Sequence, residues 1–483
     1  MTRIIVGPFN RVEGDLEVKL DVSERVVRQA QVVSTLYRGF EQILKGKAPS
    51  DALVYAPRIC GICSVSQSVA AAKALAAAGH LVVSPNGALA INAIHATENI
   101  ADHLTHFYLF FMPDFARVIY AGETWYEAVA ERFTAIKGSA SSDMLPARAQ
   151  FMHIMGILAG KWPHTLAIQP GGTTRSVVSN EIARMSAVLA GFRSFLEKKL
   201  FGDSIERIAS LTSNAELQSW AAERRPESSD FRLFLHVSQI LQLQALGRAS
   251  DNFMSYGAYA LGETHLFHPG IWINRTVAPL DITQVSEDTS HAWYNSDSTC
   301  EPPFEGTTIA DANRSDAYSW CKAPRLGGLV VEVGAIARQV VTGHPLIRDL
   351  VQNNGANVHS RVVARLLEIA LVTLALERWV EQIDPGETFC THGDLPNSCR
   401  GIGLTEAARG SLGHWLRISN GTIENYQIVA PTTWNFSPRD ASGTPGALEQ
   451  ALVGAPLRSG ETEPVSVQHI VRSFDPCLVC TVH

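Results

Sequence analysis

For its length the chain is poor in charge and poor in cysteine. Of 483 residues, 18% are charged and eight are cysteines. Sparse cysteine excludes a disulfide-stapled scaffold. A chain this long can bury a sizeable core without staples. Forty basic against 47 acidic residues leave a formal charge of −7, so there is no electrostatic footprint for nucleic acid. Long hydrophobic runs are missing as well. The nearest, Leu366 to Val380, is interrupted by Glu368, Glu377 and Arg378, and no direct membrane insertion is expected. The start of the chain, Met1 to Pro8, has no apolar run of signal-peptide length. The expectation is a soluble chain, with any address or anchor left to a partner. A hydrophobic fraction of 46% argues against disorder.

What is present is long helical patterning between two less regular ends. Ile4–Phe9, Leu16–Leu20 and Val26–Val33 are β-rich runs split by turn residues, which predicts a β-meander over residues 1–35. Residues 64–383 read as a helical core. Ser64–His80 is dominated by alanine and predicts a tightly packed helix. Leu89–Met112, Glu181–Phe201 and Val358–Ile383 predict three more, with Pro113, Gly202 and Asp384-Pro385-Gly386 as stops. Polar connectors are expected at Lys137–Asp143, Arg224–Asp230 and Ser286–Asp316. The segment 384–483 is read as a C-terminal metal-binding part, rich in turn signals from Pro431 on. The fold class expected is α+β, predominantly α, with a central bundle of long helices.

Four of the eight cysteines form two Cys-x-x-Cys pairs, Cys60/Cys63 and Cys477/Cys480. Such a turn aims both sulfurs at one centre, and two turns supply four thiolates for a soft metal. A structural zinc site is the common use of paired Cys-x-x-Cys. A thiol redox motif and coincidence are the other plain readings. Structural zinc usually clips a small module whose pairs lie about 15–20 residues apart. Here the pairs are separated by nearly the whole chain. A site made from both ends favours one large unit, although the length alone allows two to four domains at about 150 residues each.

The surroundings of the pairs add specificity. Arg58-Ile-Cys-Gly-Ile-Cys63, Ser473-Phe-Asp-Pro-Cys-Leu-Val-Cys-Thr-Val-His483 and Arg11-Val-Glu-Gly14 resemble the large, catalytic subunit of nickel–iron hydrogenases. So do Arg38-Gly-Phe-Glu41, His103-Leu-Thr-His-Phe-Tyr108, Lys322-Ala-Pro-Arg325, Val331-Glu-Val-Gly334, Arg409-Gly-Ser-Leu-Gly-His-Trp415 and Tyr426 to Asn435. The matches run in order along the chain.

The resemblance implies heterolysis of H2 to hydride and proton at a nickel–iron centre carrying CO and two cyanides. Cys60 and Cys477 would bind nickel alone, and Cys63 and Cys480 would bridge to iron. Cys477 would accept the first proton, and Glu13 would relay it. Without the motif, Glu13 reads as a solvated turn carboxylate. Glu41, His483 and the backbone carbonyl of Ile428 would hold Mg2+ or a similar divalent ion, which prefers oxygen and keeps waters. In the family an extension is removed after that histidine, so the sequence looks like a mature form. Arg409, Asp114, Asp475, Pro476 and Thr432 would surround the iron diatomics, with Arg409 and Thr432 donating to a cyanide. Their plain readings are a surface ion pair for Arg409 and a helix N-cap for Asp114. His103, His106 and His164 are expected as buried, hydrogen-bonded core residues, His106 as a supporting contact.

Cys300, Cys321, Cys390 and Cys399 lack iron–sulfur spacing and read as thiols or core residues. The two electrons from H2 therefore need a partner, the family's iron–sulfur small subunit, in a heterodimer or a dimer of heterodimers. The chain also departs from the common pattern. Gln67 and Asp15 stand where histidines are usual, and Ile62 and Phe110 stand where smaller Val and Leu line the gas route. These changes resemble the H2-sensing, regulatory branch, which is cytoplasmic, turns over slowly and signals to a histidine kinase. Bulkier Ile62 and Phe110 would narrow the route against O2. The alternatives are an ordinary uptake enzyme, a structural subunit of the quinone-reductase type, which would lack the four cysteines, and a zinc-clipped scaffold.

Overall fold

The computed structural model describes residues 2–295, 300–461 and 463–483. The chain opens with the expected meander: β1 (Thr2–Val6), β2 (Leu16–Ser23) and β3 (Val26–Ser34), paired antiparallel in that order. Leu16, Val18 and Leu20 alternate inward along β2, as a strand with one buried face requires.

The first long helix, α1 (Ser64–Gly79), starts directly after Cys63. Then α2 (Pro85–Thr105) begins with Ser84 capping Gly87 N and widens at its end into a π-helical turn, His106–Phe111. Pro113 lies in the tight turn Met112–Asp114 that closes this run. Next comes α3 (Ser179–Phe195), which continues through a second π-helical turn to a left-handed Gly202, the expected stop. His164 is only half-buried, short of the expected core position.

The helical expectation for 64–383 needs correction at its centre. There β4 (Phe253–Leu261), β5 (Thr264–Ile273) and β6 (Thr276–Ala278) form an antiparallel meander, and short strands follow as far as Leu326. The connector expected at 286–316 contains several of those strands, and its residues 296–299 lie outside the described ones. A helix occupies part of another expected connector, starting at Ser139. Further on, α4 (Ala335–Thr342) leads to α5 (Val358–Gln382), whose Asn357 caps Ser360 N at 2.9 Å.

The last hundred residues are also more regular than expected. They hold a third meander, β7 (Cys399–Ala407), β8 (Gly410–Ser419) and β9 (Thr422–Val429), then short helices that include α6 (Val465–Ser473) and α7 (Leu478–Thr481). The alanines of α1 let it lie almost on the backbone of β7. A Cβ at Gly403 would sit 1.9 Å from the Ala70 carbonyl oxygen, and one at Gly401 2.0 Å from that of Ala74. One hydrophobic cluster contains Val6, α1, α2, α5 and Cys480, so both ends of the chain join the same core. No described helix is long and apolar enough to cross a membrane.

Candidate metal centre

The turn before α1 presents Cys60 and Cys63, and the turn before and into α7 presents Cys477 and Cys480. The four sulfurs are buried and lie within 4.8 Å of one another. Sγ–Sγ separations are 3.5 Å for Cys60–Cys477 and 3.0 Å for both Cys63–Cys480 and Cys477–Cys480. Hydrogen bonds from the other three thiols pull Cys60 well below the usual thiol range. Those bonds and burial raise Cys63, and burial raises Cys477 and Cys480. Four buried sulfurs this close together are the soft donor set a thiophilic metal requires.

Two backbone devices bring the ends together. Glu13 N donates to Pro476 O at 3.4 Å, and Leu478 N donates to Glu13 O at 2.7 Å. The turn after Glu13 needs Gly14, whose φ is +81° and whose absent Cβ would lie 3.1 Å from Val479 N. Arg38 donates to Ile59 O at 2.6 Å and also to Val479 O, tying one cysteine turn to the other. The Glu13 carboxyl is half-buried, and burial, then the Cys60 charge, raise its pKa.

Arg409 is fully buried, not a surface ion pair. It donates to Asp102 at 2.7 and 3.2 Å, to Asp475 Oδ1 at 3.2 Å and to the Asp475 carbonyl at 3.0 Å. Asp114 is not a helix cap. Its buried carboxylate pairs with Arg472 at 2.7 Å and with Arg11, and these with His469 hold its pKa far below the usual range despite burial. Thr432 Oγ accepts from Cys477 N at 3.1 Å. Gln67 Oε1 faces His414 Nε2 at 2.8 Å, and the Gln67 N–H donates to Cys63 O. His106 Nε2 donates to Arg472 O at 2.7 Å. Ile62 lies half-buried between the first two cysteines, and Phe110 half-buried in the π-helical turn after α2.

A second polar cluster lies at the end of the chain. His483 Nε2 is 2.6 Å from Ile428 O and 3.5 Å from Glu41 Oε1, while Ile428 N donates to Glu41 at 2.8 Å. Lys322, with Thr308 and His483, holds Glu41 at a pKa of about 2 against burial. The three residues assigned to a divalent ion thus meet, and Lys322, Glu287 and Thr308 join them unforeseen. The sequence reading also missed Asp102. Its signal was an acid on the buried, alanine-rich face of α2, one position before a quoted motif.

Residues 38–143 and 141–483 match the model of the nickel-dependent hydrogenase family. The chain belongs to that family. It is 28% identical to the large subunit of the periplasmic [NiFeSe] hydrogenase of Desulfomicrobium baculatum and 28% identical to the Hydrogenase-1 large chain of Escherichia coli K12, covering all of this chain and 95% of each relative. Its fold superposes on the Ni-Fe-Se hydrogenase of D. vulgaris Hildenborough with a TM-score of 0.85 at 29% identity, covering both chains fully. This hydrogenase chain is therefore the catalytic large subunit of an H2 oxidoreductase, and its four cysteines are available for a nickel–iron site.

Proposed function

We propose that the chain oxidises H2 as the catalytic half of a heterodimer, using an iron that carries CO and two cyanides beside nickel. The four buried sulfurs drawn from opposite ends of the chain carry this reading. When bound, the nickel–iron group supplies the heterolysis of H2. The chain's own task is to hold the group and move the proton. Cys60 and Cys63 from one turn and Cys477 and Cys480 from the other are the ligands, with Cys477 the first proton acceptor. Glu13 takes the proton on, since burial and then the Cys60 charge raise its pKa and make it a better proton acceptor than an exposed carboxylate. Arg409, Asp114, Asp475, Pro476 and Thr432 form the wall around the diatomics. Glu41, Ile428 and His483 hold a magnesium-type ion. Their donors are one carboxylate, one carbonyl and one imidazole, few enough to leave room for the waters magnesium keeps. Large subunits of hydrogenases pair with an iron–sulfur small subunit, and here that subunit carries the electrons away. Nickel and iron analysis with infrared detection of CO and cyanide bands tests the reading. Zinc without nickel and iron would refute it.

Within this reading we assign the chain to the H2-sensing branch, cytoplasmic and coupled to a histidine kinase. Gln67, Ile62 and Phe110 support that assignment. Curated relatives named uptake hydrogenase large subunits, 27% identical over the whole chain, favour an ordinary uptake enzyme instead. Co-purification with a kinase and slow H2-dependent dye reduction support sensing. Fast turnover without kinase binding supports uptake.

A further inference from the structure

The face of α2 that meets the cysteine cage carries more ionisable groups than the mechanism uses. His95, Glu98 and Asp102 sit at i, i+3 and i+7 and are all buried. That spacing places them in one row along the helix. Asp102 ends the row at Arg409, beside the Asp475-Pro476-Cys477 segment. His95 ends it at a cavity of about 270 Å³ lined also by Lys73, Asn92, Gln169 and Tyr259.

Hydrogen bonds join Glu98 to Ser66 and Ser66 to His95, while helical spacing alone joins Glu98 to Asp102. Ser66 Oγ lies 3.1 Å from Glu98 Oε1 and 3.0 Å from His95 Nε2. Glu98 and Asp102 are one helical turn apart, with Cβ atoms about 5–6 Å from each other. Each feels the charge of Cys60, and Asp102 feels that of Glu98.

We propose that Asp102, Glu98, Ser66 and His95 form a second proton path, separate from Glu13, between the cysteine cage and the cavity. The proposal rests on the hydrogenase reading. Each hop conserves charge and bonds. Asp102 takes up the proton a cage thiol releases and passes a proton on to Glu98 across one helical turn, through a water that loses one proton as it gains another. The Glu98 O–H bond breaks as the proton joins Ser66 Oγ, and the Ser66 hydroxyl proton moves to His95 Nε2. His95 then releases its Nδ1 proton to the cavity, and the ring turns to reset. Electrons leave by another route, so no oxidant is needed along the path.

The protonation levels suit transfer. Burial pushes Glu98 up to about 7, against hydrogen bonds from Val65 N, Ser66 N and Trp162 Nε1. Burial pushes Asp102 up to about 8, against Arg409 and with Asp475, Cys60 and Glu98 adding to the rise. Burial, Lys73 and Arg338 depress His95 to about 3, opposed by Glu368, so it passes a proton on rather than storing it. The plainer role of Glu98 is a cap on α1, whose Val65 and Ser66 amides it accepts at 2.8 and 2.9 Å. A cap alone needs no hydroxyl link to a histidine that opens on a cavity.

Ser66→Ala cuts the link and leaves both capping amides in place. The test compares the nickel- and iron-loaded heterodimer as Glu13→Gln and as Glu13→Gln/Ser66→Ala, following isotope exchange between D2 and water. The single variant should keep residual exchange, and the double variant should lose a further factor on the order of ten to a hundred. Equal exchange in the two overturns the path. A second readout needs no metal. In the stripped chain the parent-minus-Glu98→Gln infrared difference should contain a protonated-carboxyl band that titrates near pH 7, with the bands of Asp102 and Glu449 cancelling. A carboxyl already ionised at pH 5 overturns the path too. Metal analysis of the same samples separates failure of the path from failure of the hydrogenase reading.

Discussion

Glu13 is tied to the C-terminal turn through its backbone, and its half-buried carboxyl feels the charges of Cys60 and Arg409. Glu13→Gln should therefore fold and load metal normally, yet lower H2 oxidation by about 10²–10³-fold. Steady-state dye reduction checks the loss, and unchanged CO and cyanide bands check the loading. Ile62 and Phe110 test the gas route. Replacing them by Val and Leu should make H2 oxidation sensitive to O2, read as residual activity after exposure to air. Unchanged tolerance would discard the narrowing idea. Glu449 is held up at about 7 by burial, although Val32 N and Tyr318 OH donate to it. An unfolded glutamate releases its proton near about 4.3. Between those values the folded state holds the extra proton, so rising pH costs stability across that window. The melting temperature of the parent relative to Glu449→Gln should fall from pH 4 to pH 7 and then level off. A difference that stays constant with pH would contradict this.

Elements were legible where one period ruled a long run. Val358–Ile383 was predicted and α5 spans Val358–Gln382, because its apolar positions repeat and Asn357 caps it. The N-terminal meander was legible from its alternation. The strands β7 and β8 were not, because Gly401, Gly403, Gly410 and Gly413 weaken every strand signal there. Those at 401 and 403 exist to admit α1, a reason visible only once α1 lies against them. Gly403→Ala should force α1 away from β7 and cost about 1–3 kcal/mol or more. Since Cys63 stands at the start of α1, nickel content should fall along with the denaturant midpoint. An unperturbed midpoint would show that the contact relaxes.

Across the whole molecule, the cysteine cage closes a loop from Cys60 to Cys477. The motif order pointed to that closure in the sequence. Arg38 stood inside a quoted motif and Asp102 beside one, but their roles as clamps were not legible, since the Ile59 carbonyl and Arg409 they meet come together only when the chain folds. Stripping the metal should loosen the closure first at its later-joined side. Hydrogen exchange should then rise over residues 465–481 and at the backbone bridge to Glu13 before it rises in α5. Uniform protection with and without metal would argue against a metal-held closure. The same closure also sets an order of events in time. Cys60 and Cys477 stand 417 positions apart, so one half of the ligand set is synthesised well after the other. All four sulfurs face one centre only once α7 lies against the turn before α1, so a metal that needs all four is gripped only when the two turns have met.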